Sequence, residues 1–407
     1  MGSSFSSTFI RLVRSYVTIN PQYSFEINLD GFIVQIGESD KVIPVFIQRS
    51  EEVFQRIFTE GSLGLGESYC EGLIEVKDQY YRYFVDIFVR VTYDLRLLLK
   101  LKPADIFLIL KAKFNRTFSD RLDRSENINA HYSLSDWFEQ DEDANAFYLQ
   151  WLDARYIQYS CGKWDQGIRT LQEAQENKLY FYAQRLQIKS NDPGILADLG
   201  CGWGGCLFYM AEKFGIRCHG ITLSTAQASY IKDEAIKRHL EHLVTVEVGD
   251  ILLAQGRYDY VISIGVMEHI SDYDFMYRRL AQILKPGGRA LIHSIFHSEW
   301  FYKVDPFLSK FIFPGGSTPE IRSNLNIFKK YFKHVDRHDL PALSYPRTLL
   351  CWFDQFCKHE EQIRNLLAQK SKVKDLDYSI RIFKHYLTLT YCGLTDARGF
   401  VSNILVY

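Results

Sequence analysis

No stretch of 18 residues in this 407-residue chain is free of Asp, Glu, Lys and Arg, so no membrane-spanning helix is expected. The N-terminus has no charged-then-apolar pattern of a signal peptide. Net charge is almost nil, 48 Lys+Arg against 49 Asp+Glu for a formal −1, and nothing in that balance calls for nucleic acid. The eight cysteines (Cys70, Cys161, Cys201, Cys206, Cys218, Cys351, Cys357 and Cys392) make no C-x-x-C pair and show no zinc-type histidine spacing. They read as thiols of a reduced cytosolic protein, and no metal site is expected. What is plentiful is aromatic: 26 Tyr and 29 Phe, with a share of 15%. That favours large apolar cavities and lipid contact, or simply a bulky core. Met1-Gly2-Ser3-Ser4-Phe5-Ser6 fits the N-myristoylation pattern, one short enough to arise by chance.

The length suits two domains. Residues 22–49 alternate apolar and polar side chains around turn signals, as short strands of an α+β unit do. Residues 50–60 switch to helical spacing, with Val53, Ile57 and Phe58 on one face. Residues 61–69, punctuated by Gly61, Gly64 and Gly66, read as a loop. Residues 79–118 carry eight basic side chains against three acids, a local +5 among Phe, Leu and Val. A helical stretch of that kind either lies on an anionic membrane surface or is the solvated face of ordinary packed helices. The polar residues 119–130 suit a linker.

From residue 195 onward, strands and helices alternate as a doubly wound sheet demands. A strand is expected to start at 195 and run into a glycine turn, with further strands over 217–221, 244–248, 258–264 and 290–295, and helices to about Phe214 and over 225–239 and 273–284. The stretch Ile195-Leu-Ala-Asp-Leu-Gly-Cys-Gly-Trp-Gly-Gly205 runs from a buried strand into a glycine turn. Gly200, Gly202 and Gly205 satisfy G-x-G-x-x-G, which by itself does not separate a dinucleotide site from one for S-adenosylmethionine (SAM). Asp198, two residues before the first glycine, favours SAM, because it can pair with the methionine ammonium and would repel a pyrophosphate.

These residues, with Gly220-Ile-Thr-Leu-Ser224 and Gln227, Met267-Glu-His-Ile270, Leu284-Lys-Pro-Gly-Gly288, Gln158-Tyr-Ser-Cys161 and Phe311-Ile-Phe-Pro-Gly-Gly316, resemble the cyclopropane fatty acid synthase family of SAM-dependent methyltransferases. Residues 61–69 are similar to the longer bacterial members, which carry an N-terminal lipid-binding domain. The resemblance implies a Rossmann-like α/β methyltransferase sheet over residues 126–407 and a smaller α+β lipid-binding domain over 1–125. It implies a SAM site with Asp198, Gly200 and Gly202, Tyr159 and Ser160 at the methionine end, Thr222 and Gln227 at the ribose, and Asp250 and Ile251 bordering adenine. The family holds a bicarbonate ion as base, and the matching positions are Cys161, Glu268, His293, Ile295 and Tyr345. From the residues alone, His269 is a helix-start structural residue, His293 a core histidine, and Cys161 a small buried hydrophobe as readily as a site residue.

The implied activity is that of a cyclopropane-fatty-acyl-phospholipid synthase, transferring a methylene to a cis double bond of a membrane phospholipid. A peripheral place at the inner face of the membrane and a homodimer follow from the same resemblance. Two alternatives keep the SAM site: C-methylation to a methyl-branched or methylene chain, and N-methylation of a small amine. A lipid-binding protein without catalysis is a third, disfavoured by intact Asp198 and Glu268. The chain departs from the family at Thr390, at Leu73-Ile74 and at His131-Tyr-Ser-Leu134, where Ser133 replaces an acid.

Overall fold

The computed structural model describes residues 4–21, 23–93, 99–122, 137–138, 141–299, 304–395 and 399–407. Gly2, Asp94, Arg96, the boundary near residue 125, most of the stretch 119–130 and His131–Leu134 lie outside the described residues. The chain divides into two compact units. The first comprises Met1–Ser133, Asp305–Pro314 and Val373–Cys392; the second comprises Leu134–Val304, Gly315–Lys372 and Gly393–Tyr407. The first therefore includes two segments from far along the chain, besides the N-terminal residues that the sequence suggests.

In the first unit, helix α1 (Phe5–Ile19) starts on a capping box, with the Ser4 hydroxyl accepting the Ser7 N–H at 3.2 Å. Strands β1 (Ser24–Leu29), β2 (Phe32–Ile36), β3 (Val42–Ile47) and β4 (Ile74–Glu75) form a sheet in the order β2-β1-β3-β4. The alternation seen in the sequence buries Phe25, Ile27 and Val45. Helices α2 (Ser50–Glu60), α3 (Ser62–Cys70), α4 (Asp78–Tyr93), α5 (Pro103–Leu122), α11 (Pro306–Phe311) and α15 (Leu376–Thr395, to Cys392 within this unit) complete it. Phe9 of α1 stacks on Phe54 of α2 with centroids 4.3 Å apart.

One expectation fails here. Residues 62–70 are helix α3, not a loop. Its glycines serve close packing: a Cβ on Gly64 would lie 2.4 Å from the Arg56 carbonyl oxygen, and one on Gly66 would lie 2.2 Å from the Phe307 ring. Contact at that distance outweighs the helix penalty of glycine, about 1 kcal/mol each.

The second unit is built on seven strands in the order β10-β11-β9-β8-β5-β6-β7. β5 (Ile195–Leu199), β6 (Arg217–Thr222), β7 (Val244–Val248), β8 (Tyr258–Ile264) and β9 (Leu284–Phe296) run parallel to their neighbours in that row. β11 (Phe400–Val406) enters antiparallel beside β9, and β10 (Val335–Asp339) pairs antiparallel with β11. The helices are α6 (Asp141–Leu149), α7 (Leu171–Leu186), α8 (Gly205–Phe214), α9 (Thr225–Lys237), α10 (Tyr273–Ile283), α12 (Ile321–Tyr331), α13 (Ser344–Lys358) and α14 (Glu360–Lys370). The near-continuous apolar runs of β5 and β8 have the look of a sheet covered on both faces. Two buried clusters confirm this, one led by Leu196, Leu207 and Tyr182, the other by Ala197, Val261 and Leu280. The strand order reverses between β5 and β8, and the carboxyl ends of strands at such a reversal are where open α/β sheets bind ligands.

Candidate active site

β5 ends in the glycine turn. Gly200 and Gly202 have φ of +83° and +53°, and Gly204 (+76°) precedes α8. A Cβ on Gly200 would meet Val266 at 2.4 Å, so both the turn and the approach require glycine. Above the turn is a cavity of about 340 Å³. Its wall includes Tyr159, Ser160, Asp198, Gly200, Gly202 and Gln227, six of the nine cofactor positions that the sequence suggests. Thr222 stands behind the wall and donates its hydroxyl to Gln227 Oε1 at 2.7 Å. Asp250 and Ile251 do not line the cavity: Asp250 Oδ1 accepts the Leu252 N–H at 2.8 Å, and Ile251 packs in the core.

Asp198 is buried, and its Oδ1 has no hydrogen-bond partner among the described residues. Burial pushes its carboxyl up to about 7, with the nearby Lys178 charge pulling it back. An orphaned carboxylate oxygen in a buried cavity wall suits a cationic group, and the methionine ammonium of SAM is one. The third glycine of the motif has a different use. A Cβ on Gly205 would lie 1.7 Å from the Tyr156 carbonyl oxygen, so Gly205 lets segment 156–160 pass over the start of α8.

The second group gathers around β9. Glu268, in the short 3-10 turn after β8, accepts the Ile295 N–H on Oε1 at 2.7 Å. Its Oε2 is buried without a well-formed hydrogen bond among the described residues, the Ser294 hydroxyl lies near the carboxylate, and burial raises its pKa. Ile295 and Tyr345 pack on a buried cluster with Cys161, Leu340 and Val401. Burial pushes the Cys161 thiol up to about 12, so it is a neutral neighbour and no nucleophile. His293 lies two residues before Ile295 on the same face of β9. Its Nδ1 sits 2.7 Å from the Tyr182 hydroxyl and 3.0 Å from Asn403 Oδ1, and burial lowers its pKa to about 3. It is therefore a neutral, firmly held imidazole. Four of the five residues matched to the anion site thus converge, and the fifth is on the same strand face. The free Glu268 oxygen fits the O–H of a bicarbonate ion, and the Tyr345 phenol supplies a donor of the kind its anionic end needs. His269, its pKa lowered by burial, takes a neutral place in the 3-10 turn.

Sequence reasoning passed over an aromatic run. Ring centroids are 4.8 Å apart for Trp203–Tyr148, 5.3 Å for Tyr148–Tyr159, 5.4 Å for Tyr159–Trp352 and 6.2 Å for Trp352–Tyr345. Trp203 Nε1–H donates to Asn145 Oδ1 at 2.7 Å, holding the ring at the cavity wall. The run links the cofactor cavity to the Cys161–Tyr345 cluster. Aromatic faces attract positive charge in a dry site. The high aromatic share was the only signal of it in the chain.

This sheet order, with its glycine turn and buried acid at the β5 end, defines the class: a SAM-dependent methyltransferase. The sequence profile of the mycolic acid cyclopropane synthetase family matches residues 119–397. The cyclopropane-fatty-acyl-phospholipid synthase of Escherichia coli strain K12 is 30% identical over 345 residues, which are 83% of this chain and 81% of that protein. Among solved structures, the cyclopropane synthase MmaA2 from Mycobacterium tuberculosis matches with a TM-score of 0.59 at 22% identity, over 69% of this chain and all (100%) of that one. Coclaurine N-methyltransferase, bound to N-methylheliamine and SAH, matches with a TM-score of 0.62 at 19% identity, over 86% of this chain and 99% of that one. At such identities the two structures speak for the fold alone. The chain belongs to the mycolic acid cyclopropane synthetase family.

Proposed function

We propose that this enzyme is a cyclopropane-fatty-acyl-phospholipid synthase, adding a methylene from SAM across the cis double bond of a phospholipid acyl chain. The observation that carries the reading is the Glu268 carboxylate, tied to the Ile295 amide beside Cys161 and Tyr345, with one buried oxygen left over. Transfer of a methyl group to an amine needs no such anion cradle. An alkene is a weak nucleophile, and its attack leaves a positive charge on the acyl chain that water would quench. Bound SAM supplies an electrophilic sulfonium methyl, and bicarbonate a base for the proton released as the ring closes. The chain's own residues do the rest. Asp198 receives the ammonium end of the cofactor, and Thr222 orients Gln227 toward the ribose. The rings of Tyr148, Tyr159 and Trp352 exclude water and favour the developing charge. Glu268 and Tyr345 hold the anion, with His293 fixed beside them by Tyr182 and Asn403.

The first unit is the proposed lipid-recognising part, peripheral to a membrane. No helix among the described residues is long and apolar enough to cross one. On α5, Ile106 (46% exposed), Phe107 (68%), Leu110 (60%) and Phe114 (74%) face outward. At 3.6 residues per turn they share one arc of about 100°, and Lys111 and Lys113 fall just beyond its two edges. The only acid between Leu99 and Phe114, Asp105, is buried and takes bonds from Thr8, Arg11 and the Lys102 N–H. An apolar stripe bordered by lysines suits an anionic lipid surface. A second copy of the same stripe would set lysine against lysine.

Incubation with methyl-labelled SAM and vesicles of cis-unsaturated phosphatidylethanolamine and phosphatidylglycerol tests the reading. The expected product is a fatty acid heavier by one CH2 with its alkene lost. Gain of the carbon with the alkene retained replaces it by a branched or methylene product, and label transferred only to added amines overturns it.

A further inference from the structure

Three residues of α7, Gln175, Lys178 and Tyr182, are fully buried and polar, spaced i, i+3 and i+7 on one face of the helix. Gln175 Nε2 donates to the Ser160 carbonyl at 2.9 Å, and Tyr182 reaches His293. Between them Lys178 Nζ donates to Ser160 Oγ at 2.7 Å. No carboxylate lies within ion-pair distance of Lys178 among the described residues. A lysine buried without a counter-ion costs several kcal/mol of stability unless something offsets it. The two nearest carboxylates are both otherwise directed. Asp153 accepts the N–H groups of Tyr156 at 2.9 Å and Gln158 at 2.6 Å, and Asp198 faces the cavity.

The cavity wall thus shows an orphaned acid at one point, Asp198, and at another a hydroxyl, Ser160, whose lone pair a buried ammonium already holds. A hydroxyl that accepts from an ammonium in this way keeps its own hydrogen free to donate. The amino-acid end of SAM is a zwitterion with one group for each. We propose that Lys178 is a positioning residue that acts through Ser160 to bind the cofactor's α-carboxylate, as the counterpart of Asp198 at the ammonium. This rests on the assignment of the cavity to SAM. The groups around Lys178 are Asp153, Asp198, Cys161 and Cys206, with His293 beyond, and burial among them lowers the lysine to about 8. It is therefore predominantly charged at neutral pH, as the role requires. The cationic side chain also gives the 158–161 segment, which carries Tyr159 and Cys161, a fixed height over the cavity.

The test compares SAM with its decarboxylated analogue, S-adenosylmethioninamine, by titration calorimetry on the full-length protein. Lys178→Met should weaken SAM binding at least about tenfold and the analogue less than about twofold, and Ser160→Ala should show the same ligand selectivity. In turnover, the loss should fall on KM for SAM more than on kcat. Equal losses for both ligands would mean that Lys178 only packs the core, and no loss for either would also overturn the role. Should Lys178→Met fail to fold, Ser160→Ala carries the comparison, with the same two readings. Failure of the parent protein to bind SAM at all would sink the cofactor assignment itself, a distinct result from the loss of selectivity.

Discussion

The Glu268 carboxylate and the Ile295 backbone amide, 27 positions apart in the chain, meet at 2.7 Å. One oxygen is thereby satisfied and the other is buried without a hydrogen bond of its own, while the Ile295 side chain packs with Tyr345 and Cys161. Glu268→Gln keeps a carbonyl acceptor for the Ile295 N–H and removes the charge. Turnover should fall by at least about 100-fold while SAM affinity stays within about twofold. Labelled-methyl transfer and calorimetry measure the two separately. Glu268→Ala should also abolish turnover, and it should destabilise by about 1–3 kcal/mol because the amide loses its acceptor. A collapse of SAM affinity in Glu268→Gln would erase the division between cofactor and anion sites.

With Asp198 as the proposed partner of the SAM ammonium, affinity should depend on pH. Its carboxyl lies near 7 in the folded chain, against an ordinary value of about 3.9. A raised value means that the fold binds this proton more tightly than the unfolded chain does. The group's contribution to the stability of the cofactor-free protein is therefore full below about pH 4 and lost as pH climbs through about 7. Binding of an ammonium needs the ionised form, so SAM affinity should weaken below about pH 7, approaching tenfold per unit. Calorimetry from about pH 5 to 7, below the range in which Lys178 loses its proton, reads this slope, and Asp198→Asn should be weak and flat across it.

Gly205 and Gly202 should separate by experiment. Gly205→Ala drives a Cβ to 1.7 Å from the Tyr156 carbonyl, a backbone atom that moves only with segment 156–160. A cost of about 1–3 kcal/mol and weaker SAM binding together are expected, the first as a lowered Tm. Gly202→Ala meets nothing within 4 Å. Its stability cost should be only the left-handed strain, about 1–2 kcal/mol, with the loss falling mainly on SAM affinity.

The stripe on α5 gives a prediction about membranes. Phe107→Ser combined with Phe114→Ser should cut co-sedimentation with phosphatidylglycerol vesicles at least about tenfold. Turnover on detergent-dispersed phospholipid should persist, and high salt should weaken the parent's binding through its lysines. Undiminished vesicle binding by the double variant would remove α5 from the contact.

The sheet of the second unit was readable because its strands carry local signals: the apolar runs of β5 and β8, the alternation of β7, and the glycine turn at Gly200 that closes β5. The strands expected over 244–248 and 258–264 are those observed. Residues 62–70 misled because glycine marks both loops and tight helix contacts, and only the neighbours Arg56 and Phe307 distinguish the two. Tyr148, Trp352 and Lys178 gave no local sign of a role. An aromatic or a lysine on a helix face has the same periodicity whether it lines a site or fills a core.

From the linear order of residues alone came the parallel-sheet plan, the glycine turn with Asp198, and the family likeness that numbered the proposed anion site. These are short-range patterns, and backbone geometry within a few residues is enough to write them. Which oxygen of Glu268 is spent on Ile295, what Lys178 holds, and that segments 305–314 and 373–392 belong with the N-terminal residues came from the folded chain. Each of those depends on groups brought together across tens or hundreds of positions, and a buried polar atom has no meaning until its neighbours are in place.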